Sequence, residues 1–118
     1  MKVAIIGSRS LCVPIPEDAV PKNATLILSG AADGVDRMAR AFAVEHHIRM
    51  QEVMPDYARY GRAAPLRRND ALIDAADYVV ALWDGKSRGT AYVIEQCRRK
   101  RKLLRVICAE SATDEKDE

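Results

Sequence analysis

The segment Ala76-Asp77-Tyr78-Val79-Val80-Ala81-Leu82 is followed directly by Trp83-Asp84-Gly85-Lys86-Ser87-Arg88-Gly89-Thr90. The apolar run predicts a β-strand buried on both faces, and the glycines and hydroxyls after it lead into the start of a helix. An α/β sheet binds anions at such a junction, because free backbone N–H groups and the helix dipole favour phosphate. A polar connection that binds nothing is the alternative for this junction taken alone.

Two earlier junctions repeat the pattern. Val3-Ala4-Ile5-Ile6 ends at Gly7-Ser8-Arg9-Ser10, and Thr25-Leu26-Ile27-Leu28 ends at Ser29-Gly30-Ala31-Ala32-Asp33-Gly34. Arg9 offers a forked cation for phosphate or carboxylate, although a turn with a solvated arginine has the same sequence. Because the carboxyl ends of parallel strands share one edge of a sheet, we expect the three glycine-containing loops to line one cleft.

The helix after the second junction has a regular apolar face, formed by Val35, Met38, Ala39, Phe42 and Ala43. This spacing predicts an amphipathic helix that packs on the sheet. Asp33 is placed to cap it, with Asp36 three residues on as a variant of the capping box. His46-His47 marks its carboxyl end, and we expect no metal site there because adjacent side chains on a helix diverge.

The intervening segments predict shorter or more polar elements. Three prolines between residues 11 and 23 leave at most a helical turn near 17–20. Residues 48–54 have the mixed polarity of a strand near an edge. The connection Tyr57-Ala58-Arg59-Tyr60-Gly61-Arg62-Ala63-Ala64 has the composition of a lid or rim that stacks on a base, or of an ordinary surface loop.

A helix with Pro65 in its first turn places Leu66, Asn69, Ile73 and Ala76 on one face. The Asn69 carboxamide needs hydrogen-bond partners there, either backbone groups of a nearby strand end or also a ligand. A last helix over 90–102 and a fifth strand over 103–107 complete the domain. The sequence therefore predicts an open parallel α/β sheet of five strands with helices on both faces. Residues 1–108 form one domain, and 109–118 form a disordered acidic tail.

Composition limits the class of protein. The chain has 118 residues, 48% hydrophobic and 31% charged, with a net charge of +2, which is too small to imply a polyanionic partner. Cys12, Cys97 and Cys108 are odd in number and widely spaced, so reduced cytoplasmic thiols are expected rather than disulfides or zinc. We expect no membrane-spanning segment. We assign the basic run 98–102 to a solvated helix end rather than to a nucleic-acid contact.

The motifs at the three junctions, together with Pro55-Asp56-Tyr57 and the stretch from Gly61-Arg62-Ala63-Ala64 to Asn69, resemble the small bacterial YspA/YpsA-related domains of the SLOG superfamily. The resemblance covers nearly all of residues 1–108. It implies a Rossmann-like fold, self-association and a nucleotide-type ligand, without a further cofactor. The residues that it implies for ligand and phosphate binding are Gly7, Ser8, Arg9, Ser29, Gly30, Gly34, Asp36, Asn69, Asp84, Ser87, Gly89 and Thr90. The loop before the last helix adds Gly85, which lets a ligand approach the main chain, and Arg88 as a candidate countercharge.

The resemblance leaves enzyme and sensor open. The related phosphoribohydrolases carry a Pro-Gly-Gly-x-Gly-Thr-x-x-Glu run, whereas Glu95 lies five residues after Thr90 instead of three. This difference rotates the carboxylate by about 200° on a helix, so Glu95 is not expected to act as the acid. A binding module for a nucleotide or an ADP-ribose-like molecule is the first hypothesis. An N-glycosidic hydrolase of nucleoside monophosphates is the second, with Asp36 and Asp84 as candidate catalytic carboxylates.

Overall fold

The predicted strands form one parallel five-stranded sheet in the order β3-β2-β1-β4-β5. The structure, a computed structural model, describes residues 1–8, 11, 13–30 and 34–109. The strands are β1 Lys2–Gly7, β2 Leu26–Ser29, β3 Arg49–Glu52, β4 Tyr78–Trp83 and β5 Leu103–Cys108. The helices are α1 Val35–Glu45, α2 Tyr57–Tyr60, α3 Ala64–Ala75 and α4 Arg88–Arg99. The expected parallel α/β fold with helices on both faces is confirmed, and the arrangement is Rossmann-like.

The alternation of side chains along the central strands creates two apolar layers. Val3 and Ile5 of β1 face α1 and the first connection, whereas Ala4 and Ile6 face α3 and α4. The predicted apolar face of α1 is confirmed, with Val35, Ala39, Phe42 and Ala43 buried and Met38 half-buried. Central strands buried on both faces are typical of parallel sheets and explain the unbroken apolar runs in β1 and β4.

The first connection is as short as its prolines predict. A single 3-10 turn spans Glu17–Ala19. Leu11, Ile15, Ala19 and Val20 are buried in the layer that contains α1, so they fill the space that a full helix would occupy. The polar strand β3 lies at one edge of the sheet, as its mixed sequence predicts.

The segment after β3 differs from the expected long loop. Residues 57–63 form α2 and a 3-10 turn that leads into α3. The Asp56 carboxylate caps α2 by accepting the Arg59 backbone N–H at 3.1 Å, and Gly61, with φ of 54°, ends it. The predicted apolar face of α3 is wrong at Leu66, which is 40% exposed, because Leu72 fills the core with Ile73 instead.

The last helix starts earlier than predicted and ends earlier. α4 begins at Arg88 because Ser87 accepts the Thr90 N–H at 3.3 Å, and it ends at Arg99 before Arg101 takes a positive φ of 56°. Two expectations lie outside the described residues, namely the cap at Asp33 and the tail beyond residue 109. The Ala109 N–H donates to the Trp83 carbonyl at 2.9 Å, which continues the pairing of β5 with β4.

Candidate functional site

The carboxyl ends of β1, β2 and β4 converge on one cavity, which confirms that the three glycine-containing loops share a cleft. We call it the switch-point cleft, because it opens between β1 and β4, where the strand order reverses. Its volume is about 380 Å³, within the range of small-molecule sites. Ten of the sequence-predicted residues line it: Gly7, Ser8, Ser29, Gly30, Asp36, Asn69, Asp84, Ser87, Gly89 and Thr90.

The other four predicted residues do not line the described cleft. Gly34 and Gly85 have positive φ angles of 76° and 82° and shape the turns beside it. Arg88 is exposed on the first turn of α4 and is absent from the lining. Arg9 lies outside the described residues.

A group of hydroxyls joins the ends of β1 and β4 to α4. The Oγ atoms of Ser8 and Thr90 lie 3.3 Å apart, and Ser87 Oγ lies 3.4 Å from Thr90 Oγ1. Ser8 Oγ also accepts the Asp84 backbone N–H at 3.4 Å. Because Ser8 and Thr90 are each only 2% exposed, their hydroxyls hold the two walls of the cleft together.

The Asp84 carboxylate shapes the loop before α4. Its Oδ1 accepts the backbone N–H groups of Ser87 at 2.7 Å and Lys86 at 2.8 Å. These bonds, led by that from Ser87, lower the pKa of Asp84 below its ordinary value. Trp83 Nε1 donates to the Ser87 carbonyl at 3.0 Å and fixes the same turn from outside. Asp84 is therefore an ionised loop-bracing carboxylate that also borders the cleft.

The Asp36 carboxylate is held from two sides. Ser29 Oγ donates to its Oδ1 at 2.7 Å, and Arg40 lies 3.5 Å from its Oδ2. Arg40 also pairs with Glu52 at 2.6 Å, which raises the pKa of Arg40. Asp36 thus connects the end of β2 to α1. Its carboxylate bonds to Ser29 and Arg40 and borders the cleft.

Arg68 is the charged residue of the cleft lining that the sequence did not predict. Its guanidinium donates to the Gly30 carbonyl, and its Nε donates to Asn69 Oδ1 at 2.8 Å. The expected partner of Asn69 was a strand-end backbone group or a ligand, so a guanidinium is a correction. A Cβ at Gly30 would lie 2.6 Å from Arg68 Nη1, so a side chain there would displace the guanidinium. The available signal was an arginine beside the buried Asn69 in the first turns of α3.

Glu95 lies away from the cleft, as its displaced spacing predicts. Its side chain is exposed in a separate groove between α4 and β5, together with Arg98 and Val106. The third residue after Thr90 is Val93, which is buried in the core. The position that corresponds to the glutamate of the phosphoribohydrolase run is therefore occupied by a core side chain.

The carboxyl end of α1 carries a group of possible metal ligands. His46 is the C-cap and His47 has a positive φ of 55°, so the pair ends the helix as predicted. Glu17, Glu45 and His46 bring one ligand atom each within 4.8 Å of one another. All of them are exposed or half-exposed, and exposed acidic groups of this kind are common without an ion.

Among the described residues, the helices are too short or too polar to cross a membrane. A comparison of the chain with protein-family models, with curated proteins and with solved structures finds no significant match. The chemistry of the cleft is therefore the basis for assigning a function.

Proposed function

We propose that the chain binds a nucleotide or a nucleotide-derived molecule in the switch-point cleft. One observation carries the proposal: the amino-terminal turn of α4, the Arg68 guanidinium and two carboxylates border a single cavity. A ligand that matches this set has both an anionic part and hydroxyl groups. Nucleotides combine the two on adjacent parts of one molecule.

The phosphate is assigned to the space between α4 and Arg68. The first N–H groups of a helix have no partner within the helix, and Ser87 accounts for that of Thr90. Gly89 leaves the approach to this turn open, because the nearest atom to a Cβ built there would be Ser87 Oγ at 4.0 Å. Arg68 lines the cleft and supplies a countercharge, whereas the exposed Arg88 does not line it.

The sugar is assigned to the carboxylates. Carboxylates of Rossmann-type sites accept hydrogen bonds from ribose hydroxyls. Asp36 lies in the first turn of α1, beside Ser29 at the end of β2, and Asp84 follows β4, so the two border the cleft from different sides. Two carboxylates would repel an inorganic anion, and this favours a ligand whose hydroxyls meet them while its phosphate lies elsewhere.

Hydrolysis of the N-glycosidic bond is the alternative, and the contacts of the candidate carboxylates favour binding over it. Asp84 Oδ1 accepts hydrogen bonds from two backbone N–H groups, and the lowered pKa of Asp84 makes it a weak base. Asp36 Oδ1 is committed to Ser29. The proposal includes membership of the SLOG superfamily, with the self-association and the cytoplasmic location that go with it.

A thermal-shift screen tests the proposal. Nucleoside monophosphates, diphosphates, dinucleotides and ADP-ribose are compared with adenosine and with inorganic phosphate. A ligand at 100 times its Kd should add about 2.7 kcal/mol to the free energy of unfolding. Stabilisation by a nucleotide, with little from adenosine or phosphate alone, is expected. If no nucleotide shifts the melting temperature or gives heat in calorimetry, the proposal is wrong.

A further inference from the structure

An exposed segment rich in arginine and tyrosine leads from β3 into α3, whose residues Pro65 and Arg68 line the cleft. We call it the rim patch and define it by Met54, Tyr57, Arg59, Tyr60, Arg62, Leu66 and Arg67. Of the six large hydrophobic side chains that are exposed among the described residues, Met54, Tyr57, Tyr60 and Leu66 belong to it. Tyr57 is 56% exposed and Tyr60 is 38% exposed. Scattered apolar side chains are normal on a surface, whereas four in one short segment mark a contact surface.

The segment that carries the rim patch is connected to the cleft at both of its ends. Just before it, the Val53 N–H donates to the carbonyl of Ser29, a cleft residue, at 2.8 Å. At its other end, Pro65 and Arg68 line the cleft from the first turns of α3. The rim patch therefore belongs to the segment that joins two parts of the cleft wall, the end of β2 and the first turns of α3.

Tyr60 and two arginines form a stacked group within the patch. The guanidinium carbons of Arg59 and Arg67 lie 5.1 Å and 5.8 Å from the centre of the Tyr60 ring. A guanidinium over a tyrosine ring presents a flat cationic surface. Unpaired bases stack on aromatic rings and on arginine planes of this kind.

The charge of the patch has one sign. The segment contains the three arginines of the patch and a single acidic residue, Asp56. The Asp56 carboxylate accepts the Arg59 backbone N–H at 3.1 Å. The patch thus complements phosphates that flank a stacked base. It has the interleaved aromatic residues that the basic run at 98–102 lacks.

We infer that the ligand extends from the cleft onto the rim patch and that it is of the dinucleotide type, with two bases joined through phosphate. One nucleotide occupies the cleft, the second base stacks on the Tyr60 group, and Arg59 and Arg67 face the linking phosphates. The inference rests on the proposed function and specifies its ligand class. A free dinucleotide and the end of a single-stranded nucleic acid share this chemistry.

Calorimetry with AMP, the adenine dinucleotide pApA and an eight-nucleotide oligoadenylate tests the inference. Wild type is compared with Tyr60→Ala, Tyr60→Phe and Arg67→Ala, and with Arg37→Ala as a control at an exposed arginine of α1. We expect pApA to bind about 5- to 100-fold more tightly than AMP, as one added stacked base provides. Tyr60→Ala should remove this gain and leave AMP binding unchanged, whereas Tyr60→Phe and Arg37→Ala should retain it.

The outcomes separate the inference from the proposed function. If AMP and pApA bind wild type equally, or if Tyr60→Ala weakens both equally, the inference is overturned and nucleotide binding stands. If neither binds, the inference is overturned, and the thermal-shift screen of the other nucleotides decides the proposed function. When pApA binds more tightly than AMP, the oligoadenylate distinguishes the two sources. If the oligoadenylate binds more tightly than pApA, the ligand is the end of a nucleic acid. If it binds no more tightly than pApA, the ligand is a free dinucleotide.

Discussion

The hydroxyl oxygens of Ser8 and Thr90 lie 3.3 Å apart, although 82 positions separate the two residues in the chain. Ser8 follows β1 and Thr90 lies in the first turn of α4, so this contact sets the width of the switch-point cleft at the reversal of the strand order. Both side chains are buried, and a hydrogen bond there holds its geometry better than a solvated one. A preformed cleft binds its ligand without first ordering its walls.

We predict that the protein does not release free base from AMP. The position that corresponds to the glutamate of the phosphoribohydrolase run is occupied by Val93 in the core, while Asp36 and Asp84 carry structural contacts. Chromatography of AMP incubated with the protein measures this directly. Release of adenine that disappears in Asp36→Asn, with the fold retained by circular dichroism and with Glu95→Gln still active, would establish the hydrolase instead.

The stability contributed by Asp84 should depend on pH in a defined direction. Its pKa is lowered in the folded state, chiefly by the Ser87 backbone N–H. The contribution is therefore fully present above the ordinary carboxyl pKa of about 3.9 and is lost as the pH falls through the lower folded-state value. Urea unfolding of wild type and Asp84→Ala should show a large difference in the free energy of unfolding at neutral pH and a smaller difference in acid. A difference in the free energy of unfolding that grows as the pH falls would contradict this assignment.

The strands and the shared cleft were predictable because both depend on local pattern. Apolar runs such as Val79 to Leu82 define buried parallel strands, and parallel strands bring their carboxyl ends together wherever the loops follow. The convergence of the three loops followed from that rule. The exact bounds of α4 could not be predicted in this way, because they depend on whether Ser87 or Gly89 serves as the cap.

Arg68 and α2 could not be predicted because their roles depend on tertiary packing. Arg68 reaches Gly30 across 38 positions of the chain, and no periodicity encodes that contact. α2 has four residues, which is too short for a helical pattern, and Asp56 stabilises it by one cap. Leu66 was misassigned because the apolar stripe of α3 runs through Leu72 and Ile73 instead.

Arg68→Ala should weaken nucleotide binding by about 10- to 100-fold, as expected for the loss of a hydrogen bond to a charged group. Adenosine binding should change less, because adenosine lacks the phosphate. Calorimetry with AMP and adenosine measures both, with Arg37→Ala as the matched arginine control.

Gly30→Ala provides a second test of Arg68 without removing its charge. The new Cβ would lie 2.6 Å from Nη1, so the guanidinium must move. Weaker AMP binding in both variants is expected. Unchanged AMP affinity in both would exclude Arg68 as the countercharge.

Gly7→Ala should lower the free energy of unfolding by about 1–3 kcal/mol, the usual range for an overpacked core. A Cβ at Gly7 would lie 2.6 Å from Val35 Cγ2 and 2.7 Å from the Leu82 carbonyl oxygen. That oxygen accepts the Ser8 N–H at 3.1 Å, so it cannot move without disturbing the end of β1. Urea unfolding measures the change, and Gly89→Ala, where a Cβ meets open space, is the control. If the two variants have equal free energies of unfolding, the end of β1 can shift to accommodate a Cβ, and the prediction is wrong.

Gly89→Asp should abolish stabilisation by nucleotides while leaving the unliganded melting temperature nearly unchanged. Gly89 has no positive φ, and a Cβ there would have its nearest neighbour at 4.0 Å, so the substitution introduces neither strain nor a clash. An acidic residue in the first turn of a helix is itself favourable by about 0.3–1 kcal/mol. In the bound state, however, the new carboxylate would stand where the phosphate is assigned and would repel it at short range.

Gly89→Ala separates charge from bulk in this test. The methyl group should reduce nucleotide affinity less than the carboxylate does, and it should stabilise the unliganded protein slightly by restricting the unfolded chain. Thermal shift and calorimetry with AMP on wild type and both variants measure affinity and stability together. If Gly89→Asp binds AMP with wild-type affinity, the phosphate does not lie at the amino terminus of α4, and the assignment of the cleft must be revised around Arg68 alone.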